Sequence, residues 1–277
     1  MKYLFSALLI VLALGCKTVP TEQLFQATTQ TKITFDRDTI YLYFDNPLRC
    51  PIRYYVKSKD SSIQNQIKPL QPLTLYFRTD TLVKIPAGSK AFKSVSLGTA
   101  MGDPEQAVYA YNFKLSLPFQ QGKSYKIIQG HGGNYSHNDD YSKYAIDFDM
   151  KIGDTVCAAA DGYVVGVIKD YKYGGPEQKW RNYANFITIY HPSLNLFTQY
   201  VHLSPNSSFV TVGDLVQVGA PIGLSGKTGW TDVAHLHFNV LAPVAGSEEL
   251  KSVPINFIEG YSGKDLDRNE TVKKPVY

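Results

Sequence analysis

His235-Leu236-His237-Phe238 is the stretch on which the fold of this chain turns. In a β-strand, residues i and i+2 point to the same face. His235 and His237 therefore project side by side into one cleft, while Leu236, Phe238 and Val240 point into a core. The stretch reads as a strand that presents two imidazoles together. Paired histidines also occur on solvated strands, so the rest of the chain must decide what this pair does.

A second stretch supplies a partner. Ser136-His137-Asn138-Asp139-Asp140-Tyr141-Ser142-Lys143 reads as a polar loop, and it enters the strand-like run Tyr144-Ala145-Ile146-Asp147-Phe148-Asp149. Tyr144, Ile146 and Phe148 alternate onto one face, and Ala145, Asp147 and Asp149 onto the other. Asp147 thus leaves an otherwise apolar-backed strand. A carboxylate there needs water, a Lys or Arg, or a cation as partner.

His137, Asp147 and His237 together form a two-imidazole, one-carboxylate set. Zinc accepts such ligands at roughly 2.0–2.2 Å, and catalytic zinc sites keep a fourth position open. His235 and His202 are left over beside it. Hydrolysis needs such groups, because an imidazole takes a proton and an imidazolium or N–H stabilises an oxyanion.

These residues carry a family resemblance. From about Leu117 to Phe257 the chain resembles the lysostaphin/LytM-type zinc metallopeptidases, which cut the peptide part of bacterial cell walls. The landmarks stand in the family's order. Gln129-Gly130, Ser136-His137 and Tyr144–Phe148 resemble the first metal motif. Gly153–Ala159 and Asp161–Val165 follow, then Asn185–His191 and Tyr200-Val201-His202-Leu203, and Ser225–Gly229 leads into the paired histidines. The resemblance implies an all-β catalytic domain with zinc in a groove across an antiparallel sheet. It implies one zinc ion on His137, Asp147 and His237, with His202 and His235 as catalytic histidines that do not ligate. His235 is then the general base, and His202 stabilises the oxyanion or protonates the leaving group, a division that the sequence leaves exchangeable.

Two positions depart from the usual pattern. The commonest motif has its first histidine four residues before the aspartate, where this chain has Lys143. A subgroup of the family carries the longer spacing seen here, with His137 as first ligand and His131 as the rival. Ala234 stands where proline is usual before the paired histidines.

The remaining histidines read differently. His131, within Gly130-His131-Gly132-Gly133, suits a solvated or groove-lining loop. His191, ahead of Pro192, reads as a structural residue closing a hairpin. For His202, strand alternation would group it with Thr198 and Tyr200 and send Val201 and Leu203 inward.

The N-terminus reads as an export signal. Lys2 precedes the apolar run Leu4–Leu14, which is too short to span a bilayer and suits a signal-peptide core. Leu14-Gly15-Cys16 resembles a bacterial lipoprotein signal, so residues 1–15 are expected to be removed and Cys16 lipidated; an ordinary secretory signal is the alternative. Lys17 is not the aspartate that retains lipoproteins at the inner membrane. The expected location is the cell envelope, anchored in the outer membrane and facing the periplasm. Cys50 and Cys157 lack zinc-ligand spacing and read as buried free thiols.

With 277 residues, the chain exceeds the usual single-domain size, and 44% hydrophobic content supports a core. Twenty tyrosines and 14 phenylalanines favour strands. A net charge of +4 suits an anionic polymer such as cell wall, and no basic cluster argues for nucleic acid. The expected order is a tether over 16–31, a β-sandwich-like domain over 32–116, the metallopeptidase domain over 117–260, and a polar tail over 261–277 that is extended or loosely packed. Strand-like runs in the first domain are Thr39–Phe44, Ile52–Val56, Leu73–Phe77 and Ala107–Leu117. That domain carries no histidine and reads as a spacer, a lid or a module for a regulatory protein partner. Gly153-Asp154 and Gly213-Asp214 echo each other as turns. Tyr171–Tyr183 is a loop that lines the groove or moves on the surface. The expected function is zinc-dependent hydrolysis of peptidoglycan stem peptides or cross-links. The alternative is a non-enzymatic wall-binding or hydrolase-activating lipoprotein of the same fold.

Overall fold

The computed structural model describes residues 19–20, 24, 30–88, 92–106 and 113–277. The run Leu4–Leu14, Cys16, most of the tether, and residues 107–112 of the expected strand Ala107–Leu117 lie outside the described residues.

The first part of the chain holds two three-stranded antiparallel sheets. One has the order β1 (Gln30–Asp36), β2 (Thr39–Asn46), β5 (Thr79–Pro86). The other places β3 (Ile52–Ser58) between β4 (Leu73–Leu75) and β6 (Val95–Met101). Strict alternation in β2 buries Ile40, Leu42 and Phe44 completely. The weakly apolar strands β1, β5 and β6 escape a reading based on apolar runs, since each leaves much of its surface to solvent. The short helix α1 (Ser61–Ile67) also escapes it. Lys59-Asp60-Ser61-Ser62 does end a strand, but Asp60 then caps α1, accepting from the Ser62 and Ile63 N–H groups. Ile63 and Ile67, one turn apart, face the core.

The second part comprises β7 (Ser124–Gln129), β8 (Ile146–Phe148), β9 (Thr155–Cys157), β10 (Gly162–Ile168), β11 (Gly174–Gly175), β12 (Phe186–His191), β13 (Leu196–Val201), β14 (Leu215–Val216), β15 (Pro221–Leu224), β16 (Gly229–Trp230), β17 (Leu236–Pro243), β18 (Leu250–Ser252) and β19 (Thr271–Lys273). Nine of these form one antiparallel sheet in the order β14-β10-β12-β13-β17-β8-β7-β19, with β18 on β17. β9 pairs with β15, and the short β11–β16 pair is parallel. The protein is all-β in character, as the alternation in the sequence implies.

One face of the large sheet closes on a core that includes Leu236, Phe238 and Val240 of β17, Ile146 and Phe148 of β8, and Tyr200 of β13. The opposite face has two uses. At one end Val165, Tyr190, Phe197, Leu241 and Leu250 pack with Ile40, Leu42, Phe44, Ile52 and Tyr54 of the first part. Further along the same strands the alternate residues Gln199, Val201 and His237 line an open groove. The first part therefore covers the groove-bearing face rather than the back. Burying each large apolar side chain there contributes roughly 1.5–3 kcal/mol.

Arg53 fastens the two parts. It is 1% exposed, donates from Nε to Gly102 O (2.9 Å), and from Nη1 to Val244 O (3.2 Å), Ser247 O (3.0 Å) and Tyr55 Oη (2.8 Å). The segment after Gly260 forms the 3-10 turn Gly263–Asp265 and then docks on the large sheet. β19 pairs with β7, Val272 is fully buried, and Lys274 Nζ donates to Leu117 O at 2.8 Å. The paired Gly-Asp turns share one geometry: Gly153 and Gly213 have φ of +93° and +101°, and Asp154 and Asp214 each accept a backbone N–H three residues earlier at 2.8 Å. Cys50 and Cys157 are buried and free.

Candidate metal centre

β17 and β8 pair in antiparallel register with His237 opposite Asp147, so the two side chains leave the sheet from adjacent positions. His237 Nδ1 lies 2.8 Å from Asp147 Oδ1. His137 arrives from the loop ahead of β8, with Nε2 at 3.2 Å from Asp147 Oδ1 and 3.2 Å from His237 Nδ1. One ligand atom from each of these three residues lies within 4.8 Å of the others. The structure thus brings together His137, Asp147 and His237, and it holds His137 rather than His131 at this point.

The donor set fits a divalent cation. His137 Nδ1 sits 2.8 Å from Gly130 O, an acceptor, so the proton is on Nδ1 and the Nε2 lone pair faces inward. That lone pair meets a carboxylate oxygen and a second imidazole nitrogen. Two imidazole nitrogens and a carboxylate oxygen that converge in this way can share a proton or together hold a cation. The titration behaviour reflects the same crowding. Burial opposes charge on His137, but Asp147 together with the backbone at Gly130 and Ala145 outweighs it and holds the pKa above the usual histidine value. On His237 burial wins over Asp147 and the pKa is lowered. Burial works against ionised Asp147, yet the charges of His235, His137 and His237 keep its carboxyl well below the usual carboxylate range.

His235 and His202 flank this set. Their rings lie 4.5 Å apart, and His235 Nε2 is 3.7 Å from Asp147 Oδ1. His202 Nδ1 is 2.6 Å from Thr228 O, and His235 Nδ1 is 3.2 Å from Val233 O. A carbonyl only accepts, so each Nδ1 carries the proton and each Nε2 is left with its lone pair. Burial, with the charges of His235 and His237, drives the His202 pKa well below the usual value.

Alternation misplaces β13. Thr198 and Tyr200 face the core and Leu203 is buried as expected, but Val201 turns to the groove. His202 reaches the groove because its φ is +67°, a left-handed turn that breaks the period-2 pattern. Such strain costs about 1–3 kcal/mol and concentrates at functional sites.

His131 neither lines the groove nor is simply solvated. Its ring packs edge-on to Tyr144 at 5.3 Å, Nε2 has no hydrogen-bond partner, and burial pushes its pKa down to about 4. His191 is the expected structural residue in the β12–β13 hairpin, with Nδ1 at 2.8 Å from Asp161 O and Nε2 at 2.8 Å from Thr198 Oγ1.

The groove encloses a cavity of about 460 Å³. Arg181 and Asn182, from the 3-10 turn Gln178–Tyr183, line it, so part of the glycine-broken loop is a wall. Arg181 is paired with Asp139 at 2.5 Å. Tyr141, Gln199 and Trp230 also line the cavity and escape sequence reading. Gln199 leaves a signal as an amide within the otherwise mostly apolar strand Leu196–Val201, whereas Tyr141 leaves none. Leu24 lines the same cavity, its N–H donating to Tyr171 Oη at 2.6 Å.

Comparison with known proteins fits this geometry. Residues 141–250 match Peptidase family M23. Over 109 residues the chain is 36% identical to glycyl-glycine endopeptidase ALE-1 of Staphylococcus capitis, covering 39% of this chain and 24% of that protein. Over 95 residues it is 36% identical to peptidoglycan DD-endopeptidase ShyA of Vibrio cholerae, covering 34% of this chain and 19% of the relative. Among solved structures, the antimicrobial peptidase lysostaphin from Staphylococcus simulans aligns with 29% identity and a TM-score of 0.35, over 46% of this chain and 47% of that one. The chain spans about a fifth of the length of ALE-1 and ShyA. Asp147, His202, His235 and His237 all fall within residues 141–250, and that stretch is a peptidase family M23 domain homologous to lysostaphin, ALE-1 and ShyA.

Proposed function

We propose that this chain is a zinc-dependent endopeptidase that hydrolyses peptide bonds in peptidoglycan stem peptides or cross-links. The observation that carries the reading is the convergence of His137 Nε2, Asp147 Oδ1 and His237 Nδ1 beside two further imidazoles whose Nε2 atoms are free. One zinc ion would be held by those three atoms, and when bound it supplies Lewis acidity toward a carbonyl and acidifies water.

The chain's own residues supply the remainder. His235 takes a proton at Nε2, with the Val233 carbonyl holding its Nδ1–H and ring orientation. His202, oriented by Thr228 O, stabilises the developing oxyanion or protonates the leaving amine once the proton taken up by His235 has passed to its Nε2, the two rings lying 4.5 Å apart. Both rings are largely buried at the floor of the groove, His202 9% and His235 7% exposed. The non-enzymatic alternative is disfavoured, since a binding module has no need of two free imidazole nitrogens beside a complete ligand set.

The same reading takes residues 32–116 as a separate β-sandwich-like domain open to a regulatory protein partner, and 117–260 as the catalytic domain. It takes Cys16 as the lipidated residue that holds the enzyme at the outer membrane, facing the periplasm and its polymer. The test is direct. Protein lacking the signal should bind about one zinc and release peptides from purified wall material, and His237→Ala should abolish both. Peptide release by the His237→Ala variant would overturn the assignment.

A further inference from the structure

Gln129 sits at the end of β7, beside a bulge. The β7–β8 register runs Ile127↔Phe148 and then Gln129↔Asp147, with a shift between the two pairs. A bulge of this kind re-aims a side chain, and here Gln129 comes to lie directly opposite Asp147. Its side-chain amide makes three contacts. Nε2 donates to Asp147 Oδ2 at 3.1 Å and to Ser136 Oγ at 2.8 Å. Oε1 accepts the Tyr135 N–H at 3.1 Å.

The Tyr135 contact fixes which way round the amide lies. A backbone N–H only donates, so the amide oxygen must face Tyr135 and the NH₂ group must face Asp147. Both amide hydrogens are then used, one on the carboxylate and one on the serine next to His137. Asp147 Oδ2 is occupied, and Oδ1 is the oxygen turned toward His137 and His237. The loop packs hard on this side chain. A Cβ built at Gly133 would stand 2.2 Å from Gln129 Cγ and 2.7 Å from Cδ, so only glycine admits the amide there.

We propose that Gln129 is a positioning residue for the metal centre: through one amide it presents a single oxygen of Asp147 and pins the loop that delivers His137. This rests on the zinc reading above and deepens it. A first ligand ten residues before the aspartate lies on a long loop, outside the strand that carries Asp147. Such a loop needs a brace to hold the ligand in register with β8. Gln129 touches both the loop, at Tyr135 and Ser136, and the carboxylate, so it couples their positions.

The test measures zinc affinity of the full chain by competition with a chromophoric chelator, alongside the visible bands of the Co(II)-loaded protein. Gln129→Ala should weaken zinc binding about 10- to 100-fold, the usual effect of removing a group that orients a ligand. Gln129→Glu keeps the shape but removes the donor and sets a second carboxylate against Asp147, so the loss should be at least as large. The Co(II) bands of Gln129→Ala should shift as the ligand geometry relaxes. Should either variant fail to fold, Gly133→Ala provides the same test by displacing the amide, and it should weaken zinc binding likewise. Folded variants with affinities within about threefold of the parent, or with unchanged Co(II) bands, would overturn the proposal. A parent chain that binds no zinc would instead overturn the metal reading itself, and that arm is read separately.

Discussion

His137 Nε2 and His237 Nδ1 stand 3.2 Å apart although a hundred residues separate them in the chain. Asp147 Oδ1 closes the triangle. A cation is well suited to hold these three atoms together.

Metal removal should therefore cost stability. A ligand that binds only the folded state stabilises it by about 2.7 kcal/mol at a hundredfold excess over Kd. For a chain of this size that corresponds to a rise in Tm of several degrees, at about 2–4 °C per kcal/mol. Calorimetry with added zinc and with chelator should show this shift in the parent and lose it in His237→Ala. Equal Tm values in the parent under both conditions would contradict the ligand assignment.

His202→Ala and His235→Ala should behave unlike the ligand variants. Neither Nε2 is placed to complete the triangle of ligand atoms, so both variants should keep their zinc. Turnover of wall peptides should fall by about 10²–10⁴-fold, the range for a lost proton-transfer group. Metal analysis and peptide release on the same samples separate the two effects. Loss of zinc in His202→Ala would move that residue into the ligand set.

His191 makes stability acid-sensitive. Complete burial lowers its pKa to about 4, against about 6.5 when unfolded. Between those values the unfolded chain binds the proton and the folded one does not, so falling pH favours unfolding. The contribution is fully felt below pH 4 and amounts to about 3 kcal/mol. His131, also lowered to about 4 by burial, adds to the same window. Urea midpoints of the metal-free protein should decline from pH 7 to 4, and the decline should be shallower in His191→Gln. An identical slope in the variant would show that the titration lies elsewhere.

Arg53 should be costly to replace. Arg53→Met leaves the Gly102 carbonyl without its donor, at about 1–3 kcal/mol, and removes one of the donors to Val244 O and Ser247 O, which keep the Ser247 N–H and the Tyr55 hydroxyl. Hydrogen exchange around residues 244–247 should quicken most. Deleting residues 32–113 should be worse, because Val165, Tyr190, Phe197, Leu241 and Leu250 lose their cover. A soluble, cooperatively folded deletion protein would show that the groove-bearing part stands alone.

Local pattern alone made much of this protein legible. Period-2 alternation located β17 and β8 and sent Leu236, Phe238, Ile146 and Phe148 to the core, since side-chain direction in a strand is a property of neighbouring residues. The Gly-Asp turns were equally readable, because left-handed backbone favours glycine. Tertiary structure alone decided the rest. The choice of His137 over His131 depends on a loop folding back on Gly130 and Gln129, and no spacing rule encodes that path. His202 faces the groove through a single left-handed residue that alternation cannot foresee. The covering of Phe197 and Leu241 by β2 and β3 is likewise invisible in sequence, because an apolar residue shows that it will be buried but not by what.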